Sequence, residues 1–313
     1  MPFSILTSGE GSQLTIHLSD TTTGTEAEIF AFGGLLNAFR VQTANGPLNV
    51  VDGFNDPEDA ITHITDAFKS AKMSPFACRL QNGCYHFDDH TYTLDSFYLG
   101  DHALHGFLYD AVYTLKNTAA DEATASVELE HQYKGHFKGY PFNYTLLVRW
   151  ELTSGNSLTV TTTALNHSAK AIPFSDGWHP YFTVGTPVDE CELKFNSSRR
   201  LVFDEALIPT GKEESDDRFL KGHSLRSVFL DNSFILPTTE QGYCALKNKQ
   251  VRIVIKPLMN YPYLQIYTPS HRKSVAIENL SAAPNAFNNG LGLLYLLPNK
   301  PVSFSTSYQV EAL

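Results

Sequence analysis

The chain has 313 residues, of which 42% are apolar and 12% aromatic, and its formal net charge is −10. This acidic balance, with no basic cluster longer than Arg199 and Arg200, argues against nucleic acid or an anionic membrane surface as a partner. No apolar run is long enough to cross a membrane.

The N-terminal segment and the cysteines bear on location. The first twenty residues lack a basic segment followed by an apolar core, so no signal peptide is predicted. The cysteines do not have the spacing of a zinc site, and reduced thiols in a cytoplasmic protein are the simplest interpretation; these residues are Cys78, Cys84, Cys191 and Cys244. We expect a cytoplasmic monomer or weak dimer.

Apolar and polar residues alternate along much of the chain, as is typical of half-buried strands. The alternation runs through residues 13–18, 127–133 and 142–152. A Ser-Gly-Asn turn and a second alternating run follow the last of these, so residues 142–166 predict a hairpin. Further strands are predicted at residues 251–255, 263–267, 274–278 and 302–310.

One segment has the period of a helix. Apolar residues recur at three- and four-residue steps from Ala60 to Ala71, Asp56 is a suitable N-cap, and Pro57 suits the first helical position. A short inserted helix is therefore predicted within residues 56–72. One helix among many strands indicates a mainly β protein, a single large antiparallel β-sandwich over residues 1–313, with two separate β domains as the alternative.

Several polar residues stand where a β protein does not require them. Arg79 lies among small and apolar residues, and His105 precedes a glycine. His179 lies among three aromatic residues in SDGWHPYFTVG. Asp231 follows an apolar residue, and Glu278 ends the apolar stretch SVAIE before a turn-rich loop. Each is a candidate for a functional site.

Each candidate also has an ordinary structural interpretation. An arginine in a strand is usually exposed or paired, and a histidine before a glycine is usually part of a turn. Asp231 could form an Asx-turn, and Glu278 could lie on the polar side of an edge strand. His102 and His105 could suggest a metal pair, but no third ligand is nearby in the sequence, so no metal site is predicted.

Taken together and in order, these motifs resemble those of the aldose 1-epimerase (galactose mutarotase) family. The most specific are GWHPYF at 177–182, ALIPTG at 206–211 and the ENL–PNAFN run that begins at Glu278. The likeness extends from about Phe32 to the end of the chain. It implies a galactose mutarotase-like supersandwich with a sugar cleft across its face, and interconversion of the α and β anomers of a free hexose.

The resemblance also implies roles for individual residues. Glu278, ionised, corresponds to the general base, and His179, protonated, to the general acid. Arg79, His105 and Asp231 correspond to residues that hold the sugar hydroxyls. Aromatic rings near His179 are expected to stack on the apolar face of the sugar, with Trp178 and Phe287 as predicted substrate contacts and Tyr181 and Phe182 as further candidates.

A carboxylate and an imidazole suit this chemistry, because one group must take the proton of the anomeric hydroxyl while another protonates the ring oxygen. No redox step occurs, so no cofactor is expected, and the sequence has no nucleotide-binding glycine motif. The chain departs from the family pattern at Cys78, often asparagine, and at Phe107, often glycine. We expect these two positions to affect sugar preference.

Other functions remain as alternatives. A non-catalytic carbohydrate-binding module could have the same fold. A hexose-6-phosphate 1-epimerase would need further arginines or lysines for the phosphate. A glycoside hydrolase could use Asp231 and Glu278 as paired carboxylates.

Overall fold

The computed structural model describes residues 1–237 and 241–313. Its helices are α1 (Pro57–Ala67) and α2 (Ala286–Asn289), and short 3₁₀ turns lie at Gly11–Gln13, Gln81–Gly83 and Val188–Glu190. Neither α1 nor α2, the helices of the described part of the chain, is long and apolar enough to span a membrane. The strands are β1 (Phe3–Ser8), β2 (Thr15–Asp20), β3 (Thr25–Phe30), β4 (Leu36–Thr43), β5 (Gly46–Asn49), β6 (Ala71–Met73), β7 (Arg79–Leu80), β8 (Cys84–Phe87), β9 (His90–Thr93), β10 (Tyr98–Leu99), β11 (His102–Leu104), β12 (Thr114–Ala120), β13 (Thr124–Lys134), β14 (Asn143–Thr153), β15 (Ser157–Asn166), β16 (Ile172–Phe174), β17 (Gly177–His179), β18 (Tyr181–Phe182), β19 (Glu192–Phe195), β20 (Arg199–Phe203), β21 (Pro209–Ser215), β22 (His223–Ser224), β23 (Asp231–Ile235), β24 (Cys244–Lys247), β25 (Val251–Met259), β26 (Tyr263–Tyr267), β27 (Val275–Leu280), β28 (Leu294–Leu296) and β29 (Pro301–Ala312).

Two large antiparallel sheets and a smaller N-terminal one form the body of the protein. The nine-stranded sheet has the order β12-β13-β14-β15-β29-β25-β24-β19-β22. The eight-stranded sheet has the order β21-β20-β23-β26-β27-β17-β6, with β18 also paired to β27, and the five-stranded sheet runs from β1 to β5. One buried apolar cluster draws residues from all three sheets. The predicted mainly β, antiparallel sandwich is confirmed.

The predicted hairpin at residues 142–166 is confirmed as β14 and β15, which pair from Tyr144–Asn166 to Thr153–Ser157. Because successive strand residues face opposite sides, a register slip of one residue would expose the whole apolar set. The alternate residues that β14 buries are Tyr144, Leu146, Val148, Trp150 and Leu152.

Strand β27 differs from its prediction in a way that matters for function. It continues past Glu278 to Leu280, and each of its residues is buried. The reason is its position inside the eight-stranded sheet, between β26 on one side and β17 and β18 on the other. Glu278 is therefore not an edge-strand surface residue. The loop that follows contains the one-turn helix α2, which the sequence did not predict.

Helix α1 begins as predicted and ends early. The Asp56 side chain accepts a hydrogen bond from the backbone N–H of Asp59 at 2.8 Å and so caps the first turn. The helix stops at Ala67 because Phe68 adopts a left-handed conformation with φ of 54°, and the Phe68 N–H bonds to the Ile64 carbonyl. The predicted extension to residue 72 is wrong, since the chain turns there into β6.

Candidate active site

A cavity of about 420 Å³ opens on the eight-stranded sheet. Strands β7, β17, β23, β26 and β27 contribute to its lining, together with the end of α1 and the loops after β11, β20 and β26. The cavity brings together the five polar residues that the sequence singled out: Arg79, His105, His179, Asp231 and Glu278.

Pairing of β17 with β27 sets His179 beside Glu278. Gly177 of β17 pairs with Leu280 of β27. A Cβ atom on Gly177 would lie 2.7 Å from the Leu280 side chain and 3.0 Å from that of Met73. Glycine at this position therefore lets the two strands approach, and His179 follows two residues later.

His179 and Glu278 form a buried pair. The Nε2 atom of His179 lies 3.3 Å from Oε1 of Glu278, and their side chains are 8% and 2% exposed. Within the described residues, Nδ1 of His179 and Oε2 of Glu278 have no hydrogen-bond partner. Buried polar atoms are normally satisfied, so these two atoms are suited to bind oxygen atoms of a ligand.

His105 is fixed beside this pair by backbone contacts. Its N–H donates to the Cys78 carbonyl at 2.9 Å. Its ring packs edge to face against that of His179, with the ring centroids 4.9 Å apart. The following Gly106 has φ of 73°, and a Cβ there would lie 2.1 Å from the Ser74 carbonyl oxygen. Only glycine permits this close approach.

Gln265 orients Asp231, and sequence reasoning missed it. The Gln265 amide donates to Oδ1 of Asp231 at 2.7 Å, and its carbonyl oxygen accepts a hydrogen bond from the Ser233 hydroxyl. Gln265 also pairs with Glu278 across β26 and β27, which places it on the cavity floor. The sequence feature that could have identified Gln265 is its position as a single amide residue inside the apolar stretch YLQIY.

Burial determines the ionisation of the site. It raises the pKa of Glu278 well above the ordinary carboxyl range, and the charge of Asp231 raises it further. It lowers the pKa of His179 to about 4. Burial therefore favours the neutral form of both groups, with a proton on Glu278 and none added to the His179 ring. The predicted ionised Glu278 and protonated His179 are the charged forms, which burial opposes at both residues.

The other polar groups are affected in the same way. Burial lowers the pKa of His105 well below the usual imidazole range, and the nearby His179 and Arg79 lower it further. Burial raises the pKa of Asp231, while the Arg79 guanidinium opposes this shift. Since His105 stays neutral, it can accept or donate a hydrogen bond according to its tautomer.

Several cavity residues have strained backbones. Phe68, Cys78, His105 and Leu207 have φ between 54° and 63°, and all four line the cavity. Non-glycine residues rarely adopt this region, and for bulky ones it is a genuine outlier. Such strain persists where surrounding contacts impose it, and it concentrates at functional sites.

Two predicted sugar contacts do not line the cavity. Trp178 precedes His179 in β17, so its side chain points to the opposite face. There it packs against Trp150 and under the ammonium of Lys72, 4.4 Å from the indole centroid. Phe287, in α2, lies in a buried aromatic cluster with Phe76, Tyr85 and Tyr140.

Of the four aromatic residues predicted to contact the sugar, one lines the cavity. Tyr181 lines the cavity, and its ring centroid lies 5.1 Å from that of His179. Phe182 is instead part of the core. Of the two departures from the family pattern, Cys78 lines the cavity, while Phe107 packs among buried aromatics outside it. The further aromatic wall residues are Phe68, Phe203 and Tyr267.

A buried ion pair lies behind β17. The Nζ atom of Lys72 is 2.5 Å from Oδ2 of Asp176, and both side chains are fully buried. The Tyr261 hydroxyl donates to the same carboxylate oxygen at 2.6 Å. Burial lowers the pKa of Lys72 to about 8, while Asp176 opposes the shift. The pair joins β6 to the residue immediately before β17, which supports the strand that carries His179.

In the described part of the chain, one side-chain cluster has an arrangement that could hold a metal ion: His17, Glu26 and Glu28. It does not line the cavity, and Nη1 of Arg40 binds both carboxylates, at 2.7 and 3.0 Å. His102 does not join His105, because its Nδ1 accepts the Asn82 N–H at 3.1 Å outside the cavity.

Known proteins share this sequence pattern. A family model described as aldose 1-epimerase matches residues 15–309. A protein named maltose epimerase from Levilactobacillus brevis is 27% identical over 233 residues, covering 66% of this chain and 67% of that protein. The uncharacterized protein YihR of Escherichia coli is 27% identical over 239 residues, covering 73% of this chain and 75% of that protein.

Solved structures share the fold. A galactose mutarotase-like protein from Clostridium acetobutylicum superimposes with a TM-score of 0.86 at 19% identity, covering 100% of this chain and 99% of that one. A galactose 1-epimerase from Lactobacillus acidophilus gives a TM-score of 0.83 at 21% identity, covering 99% and 98%. At these identities the likeness shows the fold alone, and it confirms the galactose mutarotase-like sandwich.

Proposed function

Because this chain belongs to the aldose 1-epimerase family, we propose that it is an isomerase that interconverts the α and β anomers of a free aldose. The observation that carries the proposal is the buried pair of His179 and Glu278, 3.3 Å apart on the cavity floor. Binding alone would need neither an acid nor a base, so the pair favours an enzyme over a carbohydrate-binding module.

Ring opening moves two protons between the sugar and this pair. Glu278 takes the proton of the anomeric hydroxyl, His179 protonates the ring oxygen, and the bond between C1 and the ring oxygen breaks to give the aldehyde. After rotation about C1–C2 the aldehyde closes from its other face, with both roles reversed. No proton is gained or lost overall, and acid–base pairs of this kind contribute about 10²- to 10⁴-fold in rate.

The ionisation of the free site suits the intermediate. While the aldehyde is open, Glu278 carries the proton and His179 is neutral, which is the state that burial favours. The cyclic sugar requires the proton to pass from Glu278 to His179, and the two atoms are 3.3 Å apart. The site thus favours the protonation state of the open form, as expected of a catalyst complementary to its high-energy species.

The remaining polar groups are placed to bind hydroxyls. Arg79 donates, Asp231 accepts, and Gln265 holds Asp231 in place. Among the described residues that line the cavity, Arg79 is the one arginine and no lysine is present. A phosphate at C6 would need more cationic partners, so the lining favours a free aldose over a hexose 6-phosphate.

The experiment is polarimetry on freshly dissolved α-D-glucose and α-D-galactose. We expect the protein to accelerate mutarotation, and Glu278→Gln to lower the catalysed rate at least about a hundredfold, or roughly 3 kcal/mol of barrier. Glu311→Gln, on β29 and outside the cavity lining, is the matched control and should keep the wild-type rate. A folded Glu278→Gln protein that retains more than about a tenth of the rate contradicts the mechanism.

A further inference from the structure

Leu207 is held in a strained conformation for which its side chain is poorly suited. It lies in the ALIPTG motif with φ of 59°. Oδ1 of Asp204 accepts the N–H groups of Ala206 and Ile208, both at 2.9 Å, and the Leu207 N–H bonds to the Asp204 carbonyl. Glycine would adopt this turn without steric cost, so a leucine here indicates a use for the side chain.

The Leu207 side chain lines the outer part of the cavity. The inner residues, such as His179, Gln265 and Glu278, are buried. The outer ones are exposed or half-buried, and we call them the mouth of the cavity. Their side chains are of two kinds: Leu99, Phe203 and Leu207 are apolar, and Thr65, Asp66, Ser270 and His271 are polar.

This mouth matches the surface of a sugar ring. A pyranose has an apolar face of C–H groups and an edge of hydroxyls, so it can contact leucine and phenylalanine on one side and polar groups on the other. The cavity, at about 420 Å³, also falls within the range of roughly 300–1,000 Å³ of pockets that take drug-sized ligands, which are larger than one hexose ring.

We propose that the mouth is a second sugar subsite and that the preferred substrate is a reducing disaccharide. Its reducing ring would lie at Glu278 and His179, and its second ring would contact Leu207 and the polar residues of the mouth. This inference rests on the proposed function, because it assigns the anomeric carbon to the His179–Glu278 pair.

The first test compares mutarotation of glucose with that of maltose, cellobiose, lactose and melibiose. We expect kcat/KM for at least one disaccharide to exceed that for glucose by about tenfold, since burying one apolar side chain contributes on that scale. Leu207→Gly keeps the turn but removes the side chain, and it should lower that ratio by about the same factor. Leu99→Ser should act in the same direction.

The matched control is Leu258→Ser. Leu258 is 48% exposed, against 54% for Leu99, and it does not line the cavity. This variant should keep the wild-type ratio. If no disaccharide exceeds glucose, or if Leu207→Gly lowers kcat/KM for glucose and disaccharides equally, the subsite is overturned while the proposed reaction stands.

Binding separates the two proposals. Calorimetry of maltose and glucose on Glu278→Gln reads affinity without turnover. Tighter binding of maltose, lost in the Glu278→Gln/Leu207→Gly double variant, supports the subsite even if no sugar is turned over. Equal affinity for the two sugars contradicts it. Failure of the wild type to accelerate mutarotation of any sugar tested refutes the proposed function and the substrate preference, and leaves the second binding subsite to the calorimetric result.

Discussion

The Nε2 atom of His179 on β17 lies 3.3 Å from Oε1 of Glu278 on β27, and both side chains are buried. In a poorly hydrated environment two opposite charges are costly unless further hydrogen bonds support them. Within the described residues, Oε2 of Glu278 and Nδ1 of His179 lack such partners. Burial therefore favours the neutral form of the pair, and oxygen atoms of a bound sugar would supply hydrogen bonds that stabilise its charged form.

The first prediction concerns the dependence of kcat/KM on pH. We expect a bell whose acid limb lies near pH 4, where His179 takes up a second proton, because burial lowers its pKa to about 4. The basic limb follows loss of the shared proton and lies above the ordinary carboxyl range, because burial raises the pKa of Glu278. Both limbs belong to the coupled pair.

Initial rates corrected for spontaneous mutarotation check this profile. In His179→Asn, the residual activity should lack the acid limb, because asparagine does not titrate. A basic limb at the usual imidazole pKa, together with an acid limb at the usual carboxyl pKa, would instead indicate that Glu278 is ionised and His179 protonated in the free enzyme.

The second prediction concerns stability in acid. The folded pKa of His179 is about 4, below the unfolded value of about 6.5, so the unfolded chain binds more protons between these pH values. The free energy of unfolding should therefore fall as pH falls through this window, by up to about 3 kcal/mol from His179. Glu278 acts oppositely: its raised pKa stabilises the fold at low pH, and this contribution is lost as pH rises through the folded value.

Urea unfolding of the wild type and of His179→Asn at about pH 7 and pH 4.5 isolates the histidine contribution. The difference in unfolding free energy between the two proteins should shift in favour of the variant at the lower pH. Identical pH dependences would show that His179 is not buried in its neutral form.

The third prediction concerns Gln265. Gln265→Leu keeps the approximate size of the side chain but removes the donor to Asp231 and the acceptor for the Ser233 hydroxyl. Loss of a hydrogen bond to a charged group costs about 1.5–3 kcal/mol, so KM should rise about tenfold or more while kcat changes less. Gln309→Leu on β29, outside the cavity lining, is the control for a polar-to-apolar change. An unchanged KM would show that Asp231 does not depend on Gln265.

The sequence predicts those features that depend on local periodicity. The hairpin at 142–166 follows from its period of two, and the start of α1 follows from its cap. The role of Gln265 depends on a contact with Asp231 in a strand distant in sequence, and the left-handed φ of Leu207 has no sequence signature. The preference of the His179–Glu278 pair for its neutral form also depends on burial, which only the assembled sheets reveal.

Trp178 is the instructive error among the site predictions. Neighbouring residues in a strand face opposite sides. Trp178 and His179 are neighbours in β17, so they cannot both line one cavity. The same rule applies to Tyr181 and Phe182, which are also neighbours in a strand. Tyr181 lines the cavity and Phe182 does not. Alternation along β17 and β18 thus places His179 and Tyr181 at the cavity and Trp178 and Phe182 in the core.

The last prediction follows from that placement. Trp178→Phe should lower the free energy of unfolding by about 1–3 kcal/mol, because a smaller ring leaves a gap against Trp150 and weakens the contact with the Lys72 ammonium. Its indole N–H has no partner among the described residues, so its removal breaks no hydrogen bond there. Both kcat and KM should stay within about twofold of the wild type, well below the roughly tenfold effect of losing a ring contact with ligand.

Tyr181→Leu, which alters a ring that lines the cavity, should raise KM about tenfold and provides the comparison. Denaturant unfolding and polarimetry on the two variants test whether Trp178 packs in the core or contacts the sugar. A large rise in KM for Trp178→Phe, with little loss of stability, would show that Trp178 contacts the sugar.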